Sequence, residues 1–183
     1  MRILKKLIAI LILLLLLPIF MLIGLIIYIE DGSPVIFRQK RIGLNNNIFH
    51  IYKFRSMRKN TPELATHLLK HPERYLLSSG KFLRRFSLDE LPNLINVIRG
   101  EMNFIGPRPA LHNQIDLNSI RKERNINSIK PGLTGLAQVN GGDKLCLKDK
   151  IYLDEEYLKT RSIILDLKIL GKTFTQILFL NKS

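Results

Sequence analysis

The chain has 183 residues, and its 29 lysines and arginines outnumber its 15 aspartates and glutamates, which gives a formal net charge of +14. A chain of this length forms one domain with a hydrophobic core of its own. The basic residues are spread along most of the sequence, so they predict an anionic partner: nucleic acid, phospholipid head groups or a phosphorylated substrate. The single cysteine, Cys146, excludes an intramolecular disulfide and is typical of a reducing environment.

The amino-terminal segment is long and apolar. Its uncharged run extends from residue 7 to residue 29, close to the ~20 residues that a helix needs to cross a bilayer. A secretory signal peptide also begins with basic residues, but its apolar core is shorter and a small-x-small cleavage site follows it. The sequence therefore predicts a membrane segment that is retained.

Basic residues on both sides of this segment bear on its topology, because such residues favour the cytoplasmic side of a membrane. They are Arg2, Lys5 and Lys6 before it, and Arg38, Lys40, Arg41, Lys53, Arg55, Arg58 and Lys59 after it. A straight span places only one flank in the cytoplasm. A helix broken at Pro18, where a backbone hydrogen bond is lost, would enter the membrane and return, which places both flanks there. An ordinary anchor with a proline kink is the alternative, and charge alone leaves both open.

The middle of the chain alternates predicted regular elements with turns. β-Branched and aromatic residues on either side of residues 43–47 predict a β-hairpin. A threonine followed by a proline marks the start of a short helix over residues 61–71. From Leu88 the apolar residues recur with helical spacing until Gly100 ends the run.

The second half contains two segments rich in glycine and proline, residues 103–112 and 129–142, which predict loops. Between them, residues 117–128 are polar and are expected to be exposed. Two helices are predicted at the end of the chain, over residues 149–161 and 162–180. The apolar residues of the last helix gather on one side, which fits a helix lying on the membrane surface and fits core packing equally well.

Two adjacent acids, Asp89 and Glu90, closely follow two arginines in this basic chain. Ser87 and Glu90 fit the S-x-x-E capping box of a helix start, but Pro92 then falls where an intrahelical N–H is needed. With Asp89 as the N-cap, Pro92 lies among the first helical positions, whose N–H groups lack partners in any case. The sequence therefore favours Asp89 at the amino terminus of the helix.

This position has a chemical consequence. A carboxylate at a helix amino terminus beside Arg84 and Arg85 is expected to be ionised, and an ionised carboxylate can act as a nucleophile. The same arginines and helix end attract phosphate. Attack of Asp89 on a phosphoryl group needs a cation that reduces the repulsion between two anions, and Mg²⁺ is the usual one. The residues thus indicate phosphoryl transfer.

The segment "SLDELPNLINVIRGEMNFIGPRPA" closely resembles the signature of the bacterial sugar transferase family, the monotopic phosphoglycosyl transferases: an Asp-Glu dyad, then Leu-Pro, then a Gly-Pro-Arg-Pro loop. The similarity extends upstream to "VIFRQKRIG" and "IYKFRSM", and downstream to "KPGLTGLAQVNG", "YLDEEYLKT" and "SIILDLKIL". It covers nearly the whole chain in the expected order and implies the small class that consists of the catalytic core only. Asn93 and Gly142 depart from the pattern, which often has glutamine and arginine there.

The resemblance implies transfer of a sugar 1-phosphate from a UDP-sugar to a polyprenol phosphate (undecaprenyl phosphate), the first membrane step of glycoconjugate biosynthesis, with UMP as the second product. It implies that Asp89 forms a covalent phosphosugar intermediate and contacts Mg²⁺, with Glu90 as its partner in proton handling or positioning. Lys53, Arg84 and Arg108 fall on family positions near the phosphates. The expected partners are the UDP-sugar, the polyprenol phosphate and membrane lipids, with no nucleic acid.

The implied fold is α+β and mainly helical. It has a re-entrant membrane helix broken near Pro18 over residues 1–31, and a cytosolic catalytic domain over residues 32–183 with a short β-hairpin and amphipathic interfacial helices. The implied location is the bacterial inner (cytoplasmic) membrane, in a monotopic arrangement with the catalytic domain facing the cytoplasm. The resemblance therefore favours the re-entrant topology over the straight anchor.

Composition also permits a membrane-anchored basic binding protein without catalysis. That alternative leaves the Asp-Glu dyad and the Gly-Pro-Arg-Pro loop unexplained, and the sequence has no recognisable nucleic-acid-binding module or interleaved stacking aromatics. A phosphatase that uses the same aspartyl intermediate with water as acceptor is a second alternative. For such an enzyme a membrane segment would place the site beside a lipid acceptor to no purpose.

Overall fold

The computed structural model describes residues 2–62 and 70–179, and within them the fold is mainly helical with two small sheets. The α-helices are α1 (Arg2–Leu15), α2 (Leu17–Asp31), α3 (Ser78–Arg85), α4 (Leu94–Arg99), α5 (Ile115–Glu123), α6 (Leu136–Val139), α7 (Leu147–Thr160) and α8 (Ile163–Phe179). The strands are β1 (Ile36–Ile42), β2 (Ile48–Phe54), β3 (Asn103–Ile105) and β4 (Gly132–Thr134). The predicted mainly helical α+β class is confirmed. Most of the helix predicted over residues 61–71 lies outside the described residues.

The two amino-terminal helices form one bent apolar segment. Leu16 separates them, and Pro18 is in the first turn of α2, where its missing N–H costs no helical hydrogen bond. In the described part of the chain no single helix is long and apolar enough to cross a bilayer, whereas α1 and α2 together meet that test with a bend of 59°. The break near Pro18 is confirmed, and the topology of the segment in a membrane stays a prediction.

Two hydrophobic clusters attach this segment to the rest of the molecule. In the first, α1 packs against β2 and α4; its buried members are Ala9, Phe49, Ile51, Leu94, Val97 and Met102. In the second, α2 packs against the end of β2 and α3; its buried members are Ile23, Ile27, Phe54, Leu77 and Leu83. Most of the remaining apolar side chains of α1 and α2 are exposed, which is the surface expected of helices that contact lipid.

Charged residues at the carboxyl end of α2 tie it to α3 and β2. The Glu30 carboxylate accepts hydrogen bonds from the backbone N–H groups of Ser78 (2.5 Å) and Ser79 (3.2 Å), and from the Ser79 hydroxyl (2.6 Å). Glu30 thereby caps the first turn of α3 from another helix. The buried Arg55, which directly follows β2, forms an ion pair with Asp31. The end of the apolar segment is thus fixed to two elements that carry site residues.

The predicted β-hairpin is confirmed. β1 and β2 are antiparallel, with Ile36 opposite Phe54 and Ile42 opposite Ile48, so the turn occupies residues 43–47. By contrast, β3 and β4 form a parallel pair inside the two segments that were predicted to be loops only, and that prediction was wrong for these strands. The pair holds the start of the Gly-Pro-Arg-Pro loop, residues 106–109, in place.

The carboxyl-terminal helices agree with the prediction, whereas the polar segment before them agrees only in part. α7 and α8 correspond to the two predicted helices. Residues 117–128 were expected to be exposed; half of them are, but Arg121 on α5 is buried, as are Ile126 and Asn127. α8 buries Ile169 against Tyr157 and Val139. Its opposite side leaves apolar residues exposed: Ile163, Ile164, Leu167, Phe174, Leu178 and Phe179.

Candidate active site

A cavity of about 450 Å³ lies between the hairpin, α3, the Gly-Pro-Arg-Pro loop and a 3-10 helix at Leu88–Asn93. The predicted site residues Lys53, Arg84, Asp89 and Arg108 line it. Glu90 lies directly behind the wall and contacts Lys53 and Arg108. The structure therefore brings together all of the site residues that the sequence predicted.

The local backbone at Asp89 differs from the prediction. Ser87 adopts a left-handed conformation (φ 54°, ψ 22°) without a side-chain cap hydrogen bond, and it begins the 3-10 helix that contains Asp89 and Pro92. α4 starts only at Leu94. Pro92 therefore lies in the 3-10 helix, two residues before α4 begins, and not inside an α-helix. Both the capping box and the placement of Asp89 as an N-cap were wrong, although Asp89 does lie in the first turn.

Glu90 is neutralised from two sides. Lys53 Nζ lies 2.8 Å from its Oε1, while Arg108 donates through Nη2 to Oε1 at 2.7 Å and through Nη1 to Oε2 at 3.3 Å. Burial alone would raise the pKa of Glu90, but the charges of Arg108 and Lys53 hold this pKa well below its usual value. Glu90 is therefore a fixed anion that orients two cations at the cavity wall.

Asp89 has the opposite surroundings. It is 8% exposed, and among the described residues none donates a hydrogen bond to its carboxylate; Lys53 and Arg84 act on it only through their charge. Burial, helped by the negative charge of Glu90, raises the pKa of Asp89 more than these cations lower it. Neighbouring charge was expected to keep Asp89 ionised; Lys53 and Arg84 do lower its pKa, but burial opposes them and outweighs their effect. The carboxylate has its oxygens available for a substrate or a cation.

The two arginines before the dyad have different positions. Arg84 Nε donates to Ser56 Oγ at 2.9 Å, and its guanidinium lines the cavity. Gly80 permits this approach, because a Cβ added there would lie 2.1 Å from the carbonyl oxygen of Ser56. Arg85 stacks on the ring of the neighbouring phenylalanine. Of this pair, Arg84 is the one that acts on Asp89 through its charge.

Arg108 stands on an anchored loop. Arg41 Nη1 donates to the carbonyl oxygen of Pro109 at 2.9 Å, and Arg121 Nη1 donates to the carbonyl oxygen of Arg108 itself at 2.8 Å. Two guanidinium groups thus hold consecutive carbonyls of the loop. This arrangement fixes the backbone from which the Arg108 side chain reaches Glu90.

The cavity is strongly cationic. Among the described residues that line it, the basic ones are Arg41, Lys53, Arg55, Arg58, Lys59, Arg84, Arg108, Arg121 and Lys150, and the acidic ones are Asp89, Asp143 and Asp154. Apolar residues occupy part of the wall as well: Phe37, Phe54, Met57, Leu111 and Leu117. This composition suits an anionic, phosphorylated ligand with an apolar portion.

Residues 1–180 of the chain match the family described as bacterial sugar transferase. The chain belongs to the bacterial sugar transferase family. Among its relatives, the "Uncharacterized sugar transferase EpsL" of Bacillus subtilis is 38% identical over 84% of this chain and 74% of the relative. The protein is accordingly a transferase, as its resemblance to the family implied.

Two longer relatives carry functional names. The undecaprenyl-phosphate glucose phosphotransferase of Komagataeibacter xylinus is 36% identical over 93% of this chain and 34% of the relative. The UDP-glucose:undecaprenyl-phosphate glucose-1-phosphate transferase of Xanthomonas campestris pv. campestris is 37% identical over 94% of this chain and 37% of the relative. The chain thus spans about a third of the length of these two relatives.

A divalent cation would find the available carboxylate of Asp89 in this cavity. No group of three or more His, Cys, Asp or Glu side chains suited to a metal occurs among residues 2–62 and 70–179. Mg²⁺ is commonly held by one or two carboxylates together with substrate phosphates. The carboxylate of Glu90 is occupied by two cations, whereas that of Asp89 is not. The residues fit a cation held jointly by Asp89 and the substrate.

The two departures from the family pattern have different surroundings. Asn93 is buried, and its Oδ1 accepts the backbone N–H of Tyr52 at 3.2 Å, so it joins the 3-10 helix to β2. Gly142 lines the cavity, where a Cβ would meet nothing within 4 Å. The cavity wall at position 142 is therefore formed without a side chain.

Sequence interpretation missed further residues of the site. Arg41 had a usable signal: it shares a hairpin face with Phe37, which stands opposite Lys53, because alternate residues of a strand point to the same side. No signal in the sequence indicated Arg121 and Asp154. They form a buried ion pair across 33 positions of the sequence, and only the packing of α5 against α7 brings them together.

Proposed function

We propose that this protein transfers a sugar 1-phosphate from a UDP-sugar to undecaprenyl phosphate, with release of UMP. One observation carries the proposal: a buried Asp89 carboxylate without a hydrogen-bond donor among the described residues stands beside a Glu90 that is fixed between Lys53 and Arg108. The names of two relatives, a glucose phosphotransferase and a glucose-1-phosphate transferase acting on undecaprenyl phosphate, support the classes of donor and acceptor.

In the first step, one carboxylate oxygen of Asp89 forms a bond to the phosphorus that carries the sugar. The bond from this phosphorus to the bridging oxygen of the diphosphate breaks, and UMP leaves with the electron pair. A carboxylate whose pKa is raised is more basic, and it is therefore a stronger nucleophile when ionised. The product is a phosphosugar joined to Asp89.

In the second step, a phosphate oxygen of undecaprenyl phosphate attacks the same phosphorus, and the Asp89 carboxylate leaves with its electron pair. This restores the protein and yields the lipid diphosphate sugar. Both steps create negative charge around phosphorus next to Lys53, Arg84 and Arg108, which line the cavity and stabilise that charge. Mg²⁺ held by Asp89 and the substrate phosphates would reduce the repulsion between the anions.

The lipid acceptor requires a site at the membrane surface. We infer that α1 and α2 enter the cytoplasmic leaflet and return, which gives a monotopic protein of the bacterial inner membrane with its catalytic domain on the cytoplasmic side. Support comes from the bend between the helices and from the contacts of Glu30 and Asp31, which tie the end of α2 to α3 and to the end of β2. The exposed apolar side of α8 fits a helix lying on the same surface.

Nucleotide release tests this function. Detergent-solubilised protein is incubated with Mg²⁺, undecaprenyl phosphate and a panel of UDP-sugars, and UMP and UDP are quantified separately. We expect the released nucleotide to be UMP. Without the lipid acceptor its release should stop after a single turnover, and Asp89→Asn should release none. Asp116→Asn, the same change at an exposed acid of α5, is the matched control and should remain active.

Three results would contradict the proposal. Release of UDP would indicate an ordinary glycosyltransferase, because the diphosphate would then stay with the nucleotide. Full activity of Asp89→Asn would exclude the nucleophile. Binding of anionic lipid without nucleotide release from any donor would favour the membrane-anchored binding protein.

A further inference from the structure

A buried ion pair in the cavity wall supports the loop that carries Arg108. Arg121 on α5 and Asp154 on α7 are 4% and 2% exposed, and Arg121 Nη2 lies 2.5 Å from Asp154 Oδ2. The other terminal nitrogen of the same guanidinium, Nη1, donates to the carbonyl oxygen of Arg108 at 2.8 Å. One arginine therefore connects an acid of α7 to the backbone of the residue that holds Glu90.

Such a pair is not explained by stability alone. Removing two charges from water is costly, and apolar residues of similar volume in place of a buried ion pair are often neutral or stabilising. Arg121 Nη2 is paired with Asp154 and Nη1 with the loop carbonyl, while its buried Nε has no hydrogen-bond partner among the described residues. What the pair adds over an apolar contact is a fixed donor aimed at the Arg108 backbone.

A neighbouring ion pair gives an internal comparison. Arg124 Nη1 and Glu155 Oε2 lie 2.5 Å apart and join the same two helices, but Arg124 is 52% exposed in its side chain. The hydrogen bonds of Arg124 and Glu155 do not involve the Gly-Pro-Arg-Pro loop. The surface pair connects α5 to α7, and the buried pair connects both helices to the site.

We propose that Arg121 and Asp154 are positioning residues for the transfer reaction, an inference that rests on the proposed function. Asp154 fixes the Arg121 guanidinium, Arg121 holds the carbonyl of Arg108, and Arg108 is thereby aimed at Glu90 and at the substrate diphosphate. Both side chains line the cavity, but the role assigned to them here is exerted through the backbone of Arg108.

The decisive variant replaces both charges by apolar residues of similar size: Arg121→Met together with Asp154→Leu. It removes the donor to the loop and leaves no buried charge without a partner, whereas Asp154→Asn alone would leave the Arg121 charge uncompensated and destabilise the protein. Glu155→Gln, which breaks the surface pair, is the matched control. Three quantities are measured in each full-length protein: the thermal unfolding midpoint, kcat and KM for the UDP-sugar, and deuterium exchange of the peptide spanning residues 106–111.

We expect the apolar double variant to unfold near the wild-type temperature. Its kcat should fall roughly 10- to 100-fold, the loss expected when a charge-assisted hydrogen bond is removed. KM for the donor should change little, because Arg108 still supplies its charge to the cavity. Exchange of the loop amides should become faster, while Glu155→Gln should leave both kcat and loop exchange at wild-type values.

Wild-type kcat and wild-type loop exchange in the double variant would overturn the proposal, as would an equal loss in Glu155→Gln. If the double variant does not fold, Arg121→Lys takes its place: an ammonium retains the charge but lacks the fork that reaches Asp154 and the loop carbonyl together, so the same losses are expected. If the wild-type protein releases no UMP from any donor, the proposed function fails, and the deuterium exchange still decides whether the pair positions the loop.

Discussion

The carboxylates of Asp89 and Glu90, consecutive in the chain, have opposite surroundings. Glu90 accepts hydrogen bonds from a lysine and an arginine, whereas Asp89 receives none from the described residues and is 8% exposed. The pKa of Glu90 is accordingly lowered and that of Asp89 is raised. One acid organises the cations of the cavity, and the other keeps its oxygens available for chemistry.

Asp89→Asn should raise the free energy of unfolding at neutral pH while it removes activity. The pKa of Asp89 is raised in the folded protein, mainly by burial, so its ionised form opposes folding above that pKa. Asparagine has no such penalty. The gain should shrink as the pH falls through the raised pKa and vanish below the unfolded value of ~4. Denaturant unfolding at pH 7 and pH 3.5 measures this, and an equal or lower stability of the variant at pH 7 would contradict it.

Glu90→Gln should destabilise the protein and lower activity, because it leaves Lys53 and Arg108 beside each other without their anion. Breaking a fully buried pair costs about 3–5 kcal/mol; since Glu90 retains some exposure, we expect about 2 kcal/mol at neutral pH. The pKa of Glu90 is lowered in the folded state, so the difference should persist down to the unfolded value of ~4.3 and diminish below it.

The control for this variant is Glu73→Gln. Glu73 is exposed, and its side chain pairs with His71, so its loss should cost less than about 0.5 kcal/mol. Unfolding midpoints of both variants, measured under the same conditions, provide the comparison. Equal effects would show that the Glu90 cluster contributes no more than a surface pair.

Gly80→Ala should separate α3 from the strand end and displace Arg84. An added Cβ would lie 2.1 Å from the Ser56 carbonyl oxygen, and overpacking of this kind typically costs about 1–3 kcal/mol. Gly171→Ala is the matched control, because it lies within α8 and its Cβ would meet nothing within 4 Å; we expect a gain of roughly 0.5–1 kcal/mol. Unfolding midpoints and UMP release measure both variants, and an unchanged Gly80→Ala protein would refute the close approach.

Pro18→Leu should alter the membrane topology. In the re-entrant arrangement, single cysteines introduced by Lys5→Cys or Lys59→Cys are both labelled from the cytoplasmic side by an impermeant maleimide. Cys146→Ser provides the background, because serine retains the N-cap that Cys146 gives α7. With Pro18→Leu the straightened helix should move residue 5 to the other side. Labelling of residue 5 only from the periplasm in the protein with Pro18 would contradict the re-entrant arrangement.

The hairpin was predictable because its pattern is local. Alternating side chains and a short polar turn specify β1 and β2 without reference to the rest of the chain. The parallel strand pair was not predictable, because β3 and β4 are three-residue strands in segments dominated by glycine and proline. The pairing joins Asn103 to Gly132 and Ile105 to Thr134, which are far apart in the sequence, so no local pattern specifies it.

In the candidate site, too, local motifs were predictable from the sequence and features that depend on distant contacts were not. The family resemblance predicted Asp89, Glu90 and their cations, since these residues stand in or beside short motifs that are recognisable in the sequence. The surroundings of Asp89 were mistaken, because its burial depends on the hairpin and on α3, which the local sequence does not specify. The burial of Arg121 was missed for the same reason: its partner lies on another helix, and a basic residue in a polar segment is usually solvated.

A covalent phosphosugar on Asp89 is the most direct test of the proposed reaction. The protein is incubated with Mg²⁺ and a UDP-sugar that supports UMP release, without lipid acceptor, quenched in acid and analysed by intact mass and peptide mapping. We predict a mass increase equal to the sugar phosphate less one water on the peptide that contains Asp89. The increase should disappear when undecaprenyl phosphate is added, be absent from Asp89→Asn and persist in Asp116→Asn. Turnover without any adduct, or an adduct retained in Asp89→Asn, would contradict the assignment of Asp89 as the nucleophile.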